Sequence, residues 1–473
     1  MNILLVLPDQ QRADFVGFRG MHPVRTPHLD QLAARGIAFD CAWTPSPLCS
    51  PARACLALGR EYDHSPVRNN ADNVPIDAPN FYRQLRDNGY RVGSCGKVDL
   101  LKGEMDWGLD GQHIRNGVSA FARLGFTDGL DSGGKHDAIS AFEKNIDEPY
   151  LAYLKTKGLA ETHVADFKRR ELGSETTPLH MLRASEDTIL PSYSNLEPTP
   201  LPDEAYCDNW VGRAALEILE GMRGPDPWFL QINFPGPHEP LDITPTMAKG
   251  WDDVQFALPH GRRNDDADRQ QQIRRNYSAM IAGIDGWLGR LVDFLERTGQ
   301  LETTLIVYAS DHGDMLGDKN LWQKTVPYEA SVRVPLIIAG PGVATGRRIA
   351  SPVSLLDLIP SYFDMGGTKP MDNLDGRSLK PVLSGETEHH REYVTSGIGQ
   401  WRAITDGRFK LILGYDEASS IKEIQYGTLA DPESAPVRLY DLDADPFETN
   451  DLSAQQVEKA KQLRSQLVDV IEN

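Results

Sequence analysis

The sequence predicts an α/β protein with a large, mostly parallel sheet flanked by helices, followed by a small C-terminal antiparallel sheet packed with a terminal helix. The unbroken apolar run Ile3–Leu7 is typical of a parallel strand buried on both faces, and Thr304–Ala309 is predicted as another buried strand. A long amphipathic helix is indicated over Gln271–Thr298. From about Glu386, short alternating segments separated by turns predict the antiparallel sheet. We therefore expect an α/β domain over residues 1–385 and a smaller α+β subdomain over residues 386–473.

Length and charge narrow the class of protein. A chain of 473 residues, 40% hydrophobic and 25% charged, is typical of a soluble globular protein. The net charge of −19 argues against nucleic acid or an anionic membrane as a partner, but local cations can still bind a small anion. Because the first strand begins at the N-terminus with no signal peptide before it, we expect a cytoplasmic protein, or a periplasmic one if a signal peptide has been removed.

The first part of the chain alternates helices with a strand. Thr26–Gly36 has a capping Thr, a Pro at the first helical position and a terminal Gly, which predicts a helix. A second helix follows Cys49, a third covers Phe81–Asn88, and Tyr90–Cys95 is a short strand. Residues from about 99 to 200 are polar and rich in Gly, Asp, Lys and Glu. We interpret them as irregular insertions near the functional site.

The second part supplies further strands and the C-terminal sheet. Trp228–Asn233 is a strand that ends in a proline-rich turn, and Val334–Ala339 is another strand. Near the end of the chain, Ser453 opens a capping-box pattern, which predicts the start of the terminal helix. The apolar face of that helix is predicted to contain Val457, Leu463, Leu467 and Val470.

The helix that follows Cys49 gives the first indication of function. Pro51 suits the first helical turn, and Gly59 fits the position just past the helix end. Free backbone donors and the helix dipole favour an anion near Cys49. Arg53 lies about one turn further on, where its guanidinium can face the same anion. The segment therefore predicts a nucleophile at a site for a tetrahedral oxyanion.

Other polar residues follow the carboxyl ends of predicted strands. These residues are Asp9, Lys97, His238, Asp311 and His312. In an open parallel sheet that edge is where ligands bind, so we expect these side chains to lie close together. Alone, each could be a turn or surface residue, and Cys49 could be a structural buried cysteine. All of them meeting at one edge by chance is improbable.

The same residues can hold a divalent cation. Asp9 and Asp311 supply carboxylate oxygens, Gln10 can add an amide oxygen and His312 a nitrogen. Oxygen-rich ligation favours calcium, whereas His312 makes manganese an alternative, and magnesium is another. A bound cation would lower the pKa of a hydroxyl and neutralise charge on a transferring anion.

The segment Cys49-Ser-Pro-Ala-Arg53, followed by Gly59-Arg60, resembles the signature of the type I sulfatases in the alkaline phosphatase superfamily. The resemblance implies an alkaline phosphatase-like fold and oxidation of Cys49 to formylglycine by a formylglycine-generating enzyme. It implies that the aldehyde hydrate is the nucleophile. The chain departs from the usual pattern at Ala52, where the family has Ser, and at Ala57-Leu58, where it has Leu-Thr.

The resemblance extends to the other candidate residues. By it, Asp9, Gln10, Asp311, His312 and the modified Cys49 are metal ligands. Arg53 assists the nucleophile, and Lys97, His238 and Lys324 match sulfate-binding and acid–base positions. Asn70 resembles a substrate-binding Asn of choline-sulfatases. The Asp9-Gln10 and Asp311-His312 pairs are most similar to the choline-sulfatase and phosphonate monoester hydrolase branches.

Asp99 bears on the substrate. Many sulfatases have Gly-Lys-x-His where this chain has Gly96-Lys97-Val98-Asp99, a segment that resembles arylsulfatase K, a uronate 2-sulfatase. The carboxylate of Asp99 either contacts a substrate hydroxyl or cation, or pairs with Lys97.

The resemblance implies hydrolysis of a small sugar, aryl or alkyl sulfate to an alcohol and inorganic sulfate. One alternative is a phosphonate monoester or phosphodiester hydrolase that uses the same site. A second alternative is a non-catalytic relative that binds anions or sulfated glycans. We expect neither a nucleic-acid nor a membrane partner, and we expect a homo-oligomer.

Overall fold

Apolar runs form the strands of the protein, whose computed structural model describes residues 1–172, 191–261 and 266–472. The strands are β1 (Asn2–Val6), β2 (Ile37–Phe39), β3 (Ala42–Trp43), β4 (Arg91–Gly96), β5 (Ile114–Arg115), β6 (Val118–Ser119), β7 (Asp128–Gly129), β8 (Trp228–Asn233), β9 (Thr304–Ala309), β10 (Leu336–Ala339), β11 (Arg347–Ile349), β12 (Val353–Ser354), β13 (Val394–Ile398), β14 (Trp401–Thr405), β15 (Phe409–Leu413) and β16 (Val437–Asp441).

Helices connect and cover these strands. They are α1 (Pro27–Arg35), α2 (Cys49–Leu58), α3 (Phe81–Asp87), α4 (Ala120–Leu124), α5 (Gly134–Lys144), α6 (Pro149–Thr156), α7 (Ala160–Leu172), α8 (Pro191–Ser194), α9 (Cys207–Gly221), α10 (Pro245–Ala248), α11 (Ala267–Arg297), α12 (Glu329–Val332), α13 (Leu358–Gly366), α14 (Lys380–Leu383), α15 (Ile421–Tyr426) and α16 (Val457–Glu472). Among the described residues, no helix is long and apolar enough to cross a membrane.

The main sheet has eight strands in the order β11-β2-β10-β9-β1-β8-β4-β7. Strand β10 runs antiparallel to both of its neighbours, and the other pairs are parallel. The four central strands β9, β1, β8 and β4 therefore point the same way, and their carboxyl ends share one edge. The predicted fold class, a mostly parallel sheet with a separate antiparallel sheet, is confirmed.

Strand β1 is buried on both faces, as its apolar run predicts. Ile3 and Leu5 pack in one core cluster with residues of α2, α3 and α13. Leu4 and Val6 point the other way, into a second cluster with residues of α1, α9 and α11. The helices thus form a layer on each face of the sheet, which holds the strand ends in a fixed arrangement.

The segment from residue 99 to 200 is more regular than the sequence indicates. Three helices, α5, α6 and α7, occupy much of it, and β7 pairs with the edge strand β4. Its polar composition conceals them because apolar residues such as Tyr150, Leu151 and Leu154 face the core on one side only. Residues 173–190 of the predicted insertion lie outside the described part of the chain. The expectation of an irregular segment is therefore wrong for the described residues.

The second sheet is antiparallel in the order β13-β14-β15-β16. Helix α16 packs on it through Ala460, Leu463 and Leu467. The predicted start of this helix is wrong, because it begins at Val457 and Ser453 lies in the preceding turn. Val457 is 44% exposed, so the apolar face begins at Ala460 instead.

Candidate active site

The predicted polar residues meet at the carboxyl edge of the four central strands. Asp311 follows β9, Asp9 follows β1, His238 follows β8, and Lys97 follows β4 directly. Hydrogen bonds hold Asp9 against the loop that follows β8, since its backbone N–H donates to the carbonyls of Phe234 and Gly236 at 3.0 and 3.1 Å. The edge of the sheet therefore brings distant parts of the sequence to one place.

Helix α2 carries Cys49 into this edge. The helix begins at Cys49 and ends at Leu58, and the next residue, Gly59, has a φ of 67° in the left-handed region. Leu48 precedes the helix and has no capping side chain, but the Asn70 side-chain oxygen accepts a hydrogen bond from the Ser50 N–H at 3.0 Å. Asn70, predicted to bind substrate, thus lies at the helix start and satisfies one of its free donors.

Three buried groups surround the Cys49 sulfur and form a cluster of four with it. One ligand atom each from Asp9, Cys49, Asp311 and His312 can be chosen so that all lie within 4.8 Å of one another. The Cys49 Sγ is 3.3 Å from His312 Nε2 and 3.8 Å from Asp9 Oδ1. His312 Nδ1 lies 3.1 Å from the Gly313 carbonyl and can donate to it, which directs Nε2 at the cluster.

This donor set fits a divalent cation. Two carboxylates converge on one imidazole nitrogen, with His312 Nε2 3.6 Å from Asp9 and 3.8 Å from Asp311. All the groups are buried, and carboxylate oxygens beside an imidazole nitrogen are a donor set that divalent cations bind. An oxygen in place of the Cys49 sulfur would make the set still harder in character.

Arg53 holds the two carboxylates in place. Its Nε donates to Asp311 Oδ2 at 2.9 Å, and its NH2 lies 3.5 Å from Asp9 Oδ2. Its NH1 donates to the Lys97 carbonyl at 2.5 Å and to Asn233 Oδ1 at 2.8 Å. The guanidinium is 1% exposed and, as predicted from its position one turn after Cys49, points into the site.

Lys97 links the cluster to Asp99. Its ammonium donates to Asp9 Oδ2 at 2.5 Å and lies 3.5 Å from the Cys49 Sγ. Asp99 Oδ2 is 3.4 Å from Lys97 Nζ and accepts a hydrogen bond from Lys102 at 2.8 Å. Burial alone would raise the pKa of Asp99, but Lys102 and Lys97 lower it to about 2. Of the two alternatives for Asp99, the structure contains the pairing with Lys97, shared with Lys102.

Gln10, Lys324 and His238 form a second group beside the cluster. The Lys324 ammonium donates to Gln10 Oε1 at 2.5 Å and to His238 Nε2 at 2.6 Å. His238 Nδ1 in turn lies 2.7 Å from the Glu239 carbonyl, to which it donates. Burial, followed by the Lys324 charge, holds the pKa of His238 well below its ordinary value. His238 is therefore a neutral acceptor, and the proton that faces it belongs to Lys324.

The Gln10 side chain is oriented by two buried acids. Its Nε2 donates to Glu239 Oε2 at 2.6 Å and to Asp314 Oδ2 at 2.7 Å, and the Tyr193 hydroxyl, which donates to Asp314 Oδ2, lies 3.1 Å from it. Burial and the Glu239 carboxylate raise the pKa of Asp314 to about 6. Because the amide nitrogen faces these acceptors, the amide oxygen, predicted as a metal ligand, faces Lys324.

Opposing effects determine the pKa of the Cys49 thiol. Burial and the Asp9 carboxylate raise its pKa, but Lys324, Lys97 and His312 together lower it to about 7. The other four cysteines are buried and unpaired as well, and burial raises the pKa of Cys41 to about 12. Cys49 is thus in a cationic environment suited to a nucleophile or to an anion.

Sequence reasoning missed several residues that support the site. Asn233 ends β8 and holds Arg53, and Glu239 lies in the same proline-rich turn as His238. Asp314 lies two residues after His312, so its position just past the end of β9 could have identified it as a site residue. Tyr193 comes from the segment interpreted as insertions, where no sequence pattern indicates it.

Comparison with known proteins agrees with this geometry. The family described as "Sulfatase" matches residues 1–368, more than half of the chain. A second family, "N-sulphoglucosamine sulphohydrolase, C-terminal", matches residues 317–473.

Individual relatives align over nearly the whole chain. A choline-sulfatase of Rhizobium meliloti is 28% identical over 96% of this chain and 82% of its own length. An arylsulfatase K of Xenopus laevis is 25% identical over 100% of this chain and 82% of its own length. The crystal structure of a phosphonate monoester hydrolase of Agrobacterium radiobacter superposes with a TM-score of 0.74 at 21% identity, covering 99% of this chain and 95% of that one. At this identity the superposition shows a shared fold.

Proposed function

The chain belongs to the sulfatase family, and we propose that it hydrolyses a sulfate monoester through a formylglycine hydrate made from Cys49 and a divalent cation. The observation that carries the proposal is the place of Cys49. It begins a helix, points at Asp9, Asp311 and His312, and is 3.5 Å from the Lys97 ammonium. A nucleophile, a cation site and fixed positive charges are what transfer of a sulfuryl group requires.

Cys49 and the cluster around it would generate the nucleophile. Oxidation by a formylglycine-generating enzyme would supply an aldehyde whose hydrate provides a hydroxyl at position 49. Asp9, Asp311 and His312, with that oxygen, would hold the cation, and the donor set favours calcium, with manganese or magnesium as alternatives. Once bound, the cation supplies a lowered hydroxyl pKa and neutralises charge on the sulfate.

Fixed cations would bind the sulfate oxygens. Lys97 is 6% exposed at its side chain and Lys324 is 7% exposed, so neither charge is screened strongly by water. Arg53 is occupied by two carboxylates, an amide and a carbonyl, and its role is to keep Asp9 and Asp311 directed at the cation. Preorganised charges of this kind stabilise the transition state without reorganisation.

The pair of Lys324 and His238 would protonate the leaving alcohol. The ammonium carries the proton, and neutral His238 accepts a hydrogen bond from it at 2.6 Å. Gln10 Oε1 fixes the ammonium from the other side at 2.5 Å. The proton donor is thereby held in one direction, as general acid catalysis requires.

Two other functions use the same residues. The shared fold with a phosphonate monoester hydrolase supports that activity as an alternative, because sulfate and phosphonate esters have the same tetrahedral shape. A non-catalytic binding module is less well supported, since binding an anion does not require the buried cluster of Asp9, Asp311 and His312.

Parallel initial rates test the proposal. Protein co-expressed with a formylglycine-generating enzyme would be assayed with para-nitrophenyl sulfate, para-nitrophenyl phosphate and a para-nitrophenyl phosphonate monoester. We expect the highest kcat/KM for the sulfate, and no turnover by Cys49→Ala. A higher kcat/KM for the phosphonate would favour the alternative hydrolase. Absence of turnover by protein with a verified aldehyde would favour the binding module.

A further inference from the structure

Lys135 is a buried lysine outside the residues assigned above. It is the second residue of α5, and its side chain is 3% exposed. Its ammonium lies over the Tyr206 ring, 6.0 Å from the centroid. A lysine so deeply buried is rare unless its charge has a specific partner.

The Lys135 ammonium binds the loop that carries His238. Its Nζ donates to the His238 carbonyl at 3.2 Å, to the Pro240 carbonyl at 3.1 Å and to Asp242 Oδ1 at 2.7 Å. An ammonium has three N–H donors, so these contacts use all of them. The two carbonyls flank Glu239, and one cation thereby fixes the backbone on both sides of that residue.

The backbone at this point determines the direction of the His238 ring. His238 Nδ1 donates to the Glu239 carbonyl at 2.7 Å, between the two carbonyls that Lys135 holds. The ring of His136, the next residue after Lys135, packs edge-on against His238 with 5.0 Å between centroids. Other residues hold the two ends of the loop. The Gly236 N–H donates to Asp208 Oδ1 at 2.9 Å, and Asn276 Nδ2 donates to the Leu241 carbonyl.

We propose that Lys135 is a positioning residue that directs His238, and through it the Lys324 ammonium, at the leaving oxygen of the substrate. The inference rests on the proposed function, because it assigns proton transfer to the pair of Lys324 and His238. The proposal also assigns α5 a role in positioning the site, although α5 contributes no ligand to the Cys49 cluster.

A leaving-group series tests the proposal. Para-nitrophenolate leaves without a proton, whereas the phenolate of phenyl sulfate is more basic and depends more on the acid. We expect Lys135→Met to lower kcat/KM for phenyl sulfate about 100-fold, and to lower it for para-nitrophenyl sulfate by less than about tenfold. Lys155→Met makes the same change at an exposed lysine of α6, and should alter kcat/KM for neither substrate.

The effect should also depend on His238. In a His238→Ala background, Lys135→Met should lower kcat/KM for phenyl sulfate little further, because the residue that Lys135 positions is already absent. Equal losses on both substrates, or full additivity with His238→Ala, would overturn the proposal and leave Lys135 a general structural residue.

A second readout is independent of turnover. Hydrogen exchange of the peptide covering residues 236–242 should speed up in Lys135→Met and stay unchanged in Lys155→Met. Lys135→Met also leaves Asp242 without its cation, so Lys135→Met/Asp242→Asn serves as the variant that relieves the buried charge. Unchanged exchange in both Lys135 variants would overturn the inference. Wild-type protein inactive on every sulfate, with the exchange difference present, would instead contradict the proposed function alone.

Discussion

Cys49 shows how a residue acquires chemistry from its neighbours. The thiol is 1% exposed, and burial by itself opposes ionisation. Three cations from distant parts of the chain, Lys97, Lys324 and His312, outweigh burial and the Asp9 carboxylate. The same charges would face the oxygens of a bound sulfate, so the titration of the unmodified thiol reports on the field that acts on substrate.

The first prediction concerns that titration. In protein produced without maturation, the thiolate absorbance of Cys49, taken as the difference from Cys49→Ser, should rise with a midpoint near pH 7. The sign follows from the charges, because cations favour the thiolate and so lower the pKa. Lys97→Met should move the midpoint upward, and Lys155→Met should leave it unchanged. A wild-type midpoint at the value of an ordinary free thiol would contradict the assigned field.

The second prediction concerns the cation. At a free Ca²⁺ concentration 100-fold above Kd, the free energy of unfolding should rise by about 2.7 kcal/mol. The rise should vanish in Asp311→Asn, because Asp311 is one of the converging carboxylates, and persist in Asp252→Asn at an exposed position. Thermal unfolding with and without Ca²⁺, Mn²⁺ or Mg²⁺ measures it. If none of the three cations stabilises wild-type protein, the assigned donor set is wrong.

Strand ends made part of the site predictable from sequence. Asp9, Lys97, His238 and Asp311 each follow an apolar run, and parallel strands carry such residues to one edge. The partners of Asp99 were only half predictable, since Lys97 is two residues away but the contact with Lys102 depends on a turn. The direction of the Gln10 amide depends on Glu239 and Asp314, which tertiary folding brings together, and no local pattern encodes it.

At the scale of elements, helix α1 illustrates a cap supplied from far away. Thr26 occupies the capping position, but its side chain makes no capping hydrogen bond. Instead the Asp285 carboxylate, on α11, accepts from the His28 and Leu29 N–H groups at 3.2 and 2.8 Å. Since Asp285 also sits where α1 and α11 meet, this one carboxylate joins two helices of the layer that supports the sheet.

The third prediction follows from this contact. Asp285→Ala should lower the free energy of unfolding by about 1–2 kcal/mol, because it removes the acceptor for two helix N-terminal donors. Denaturant unfolding measures the loss. Asp293→Ala, at an exposed position of the same helix, should change stability little. An equal effect of the two substitutions would show that Asp285 does not cap α1.

Elements with strong periodicity were predicted well, whereas one of the two predicted helix starts, at Ser453, was wrong. Strands β8 and β9 have the predicted bounds, and α11 begins within a few residues of its prediction. Thr26 occupies the predicted capping position of α1, although its side chain does not make the capping hydrogen bonds, and the pattern at Ser453 failed because α16 starts later, at Val457. The helices within residues 134–172 were not predicted, because charged residues interrupt the periodic pattern of their short apolar faces.

At the scale of the whole molecule, the C-terminal sheet shares a core cluster with residues of α2 and of the segment before it. Trp43 of β3, Leu48 just before α2 and Cys55 within α2 pack in one cluster with Trp401 and Ile412 of the second sheet. Lys410 of β15, which is fully buried, pairs with Glu329 Oε1 at 3.1 Å and Glu448 Oε1 at 2.7 Å. We therefore propose that the divisions 1–385 and 386–473 unfold together as one cooperative unit.

The fourth prediction tests this connection. Lys410→Met should lower the free energy of unfolding by about 3–5 kcal/mol at neutral pH, because it leaves the buried Glu448 carboxylate without its cation. Burial already raises the pKa of Glu448, and loss of the Lys410 charge raises it further. A raised folded pKa means that the folded state takes up protons, so the deficit should shrink as pH falls below neutrality. Lys461→Met, which is exposed, is the control, and a deficit independent of pH would contradict the assignment.

The central claim is that Cys49 becomes the nucleophile of a sulfate ester hydrolase, and peptide mass spectrometry tests it most directly. Protein co-expressed with a formylglycine-generating enzyme would be digested to the peptide from Gly36 to Arg53, which contains Cys41 as an internal reference. We predict an aldehyde mass at position 49, an unmodified thiol at Cys41, and sulfate release in proportion to the aldehyde fraction. A thiol at both positions, in cells that mature another sulfatase, would contradict the claim.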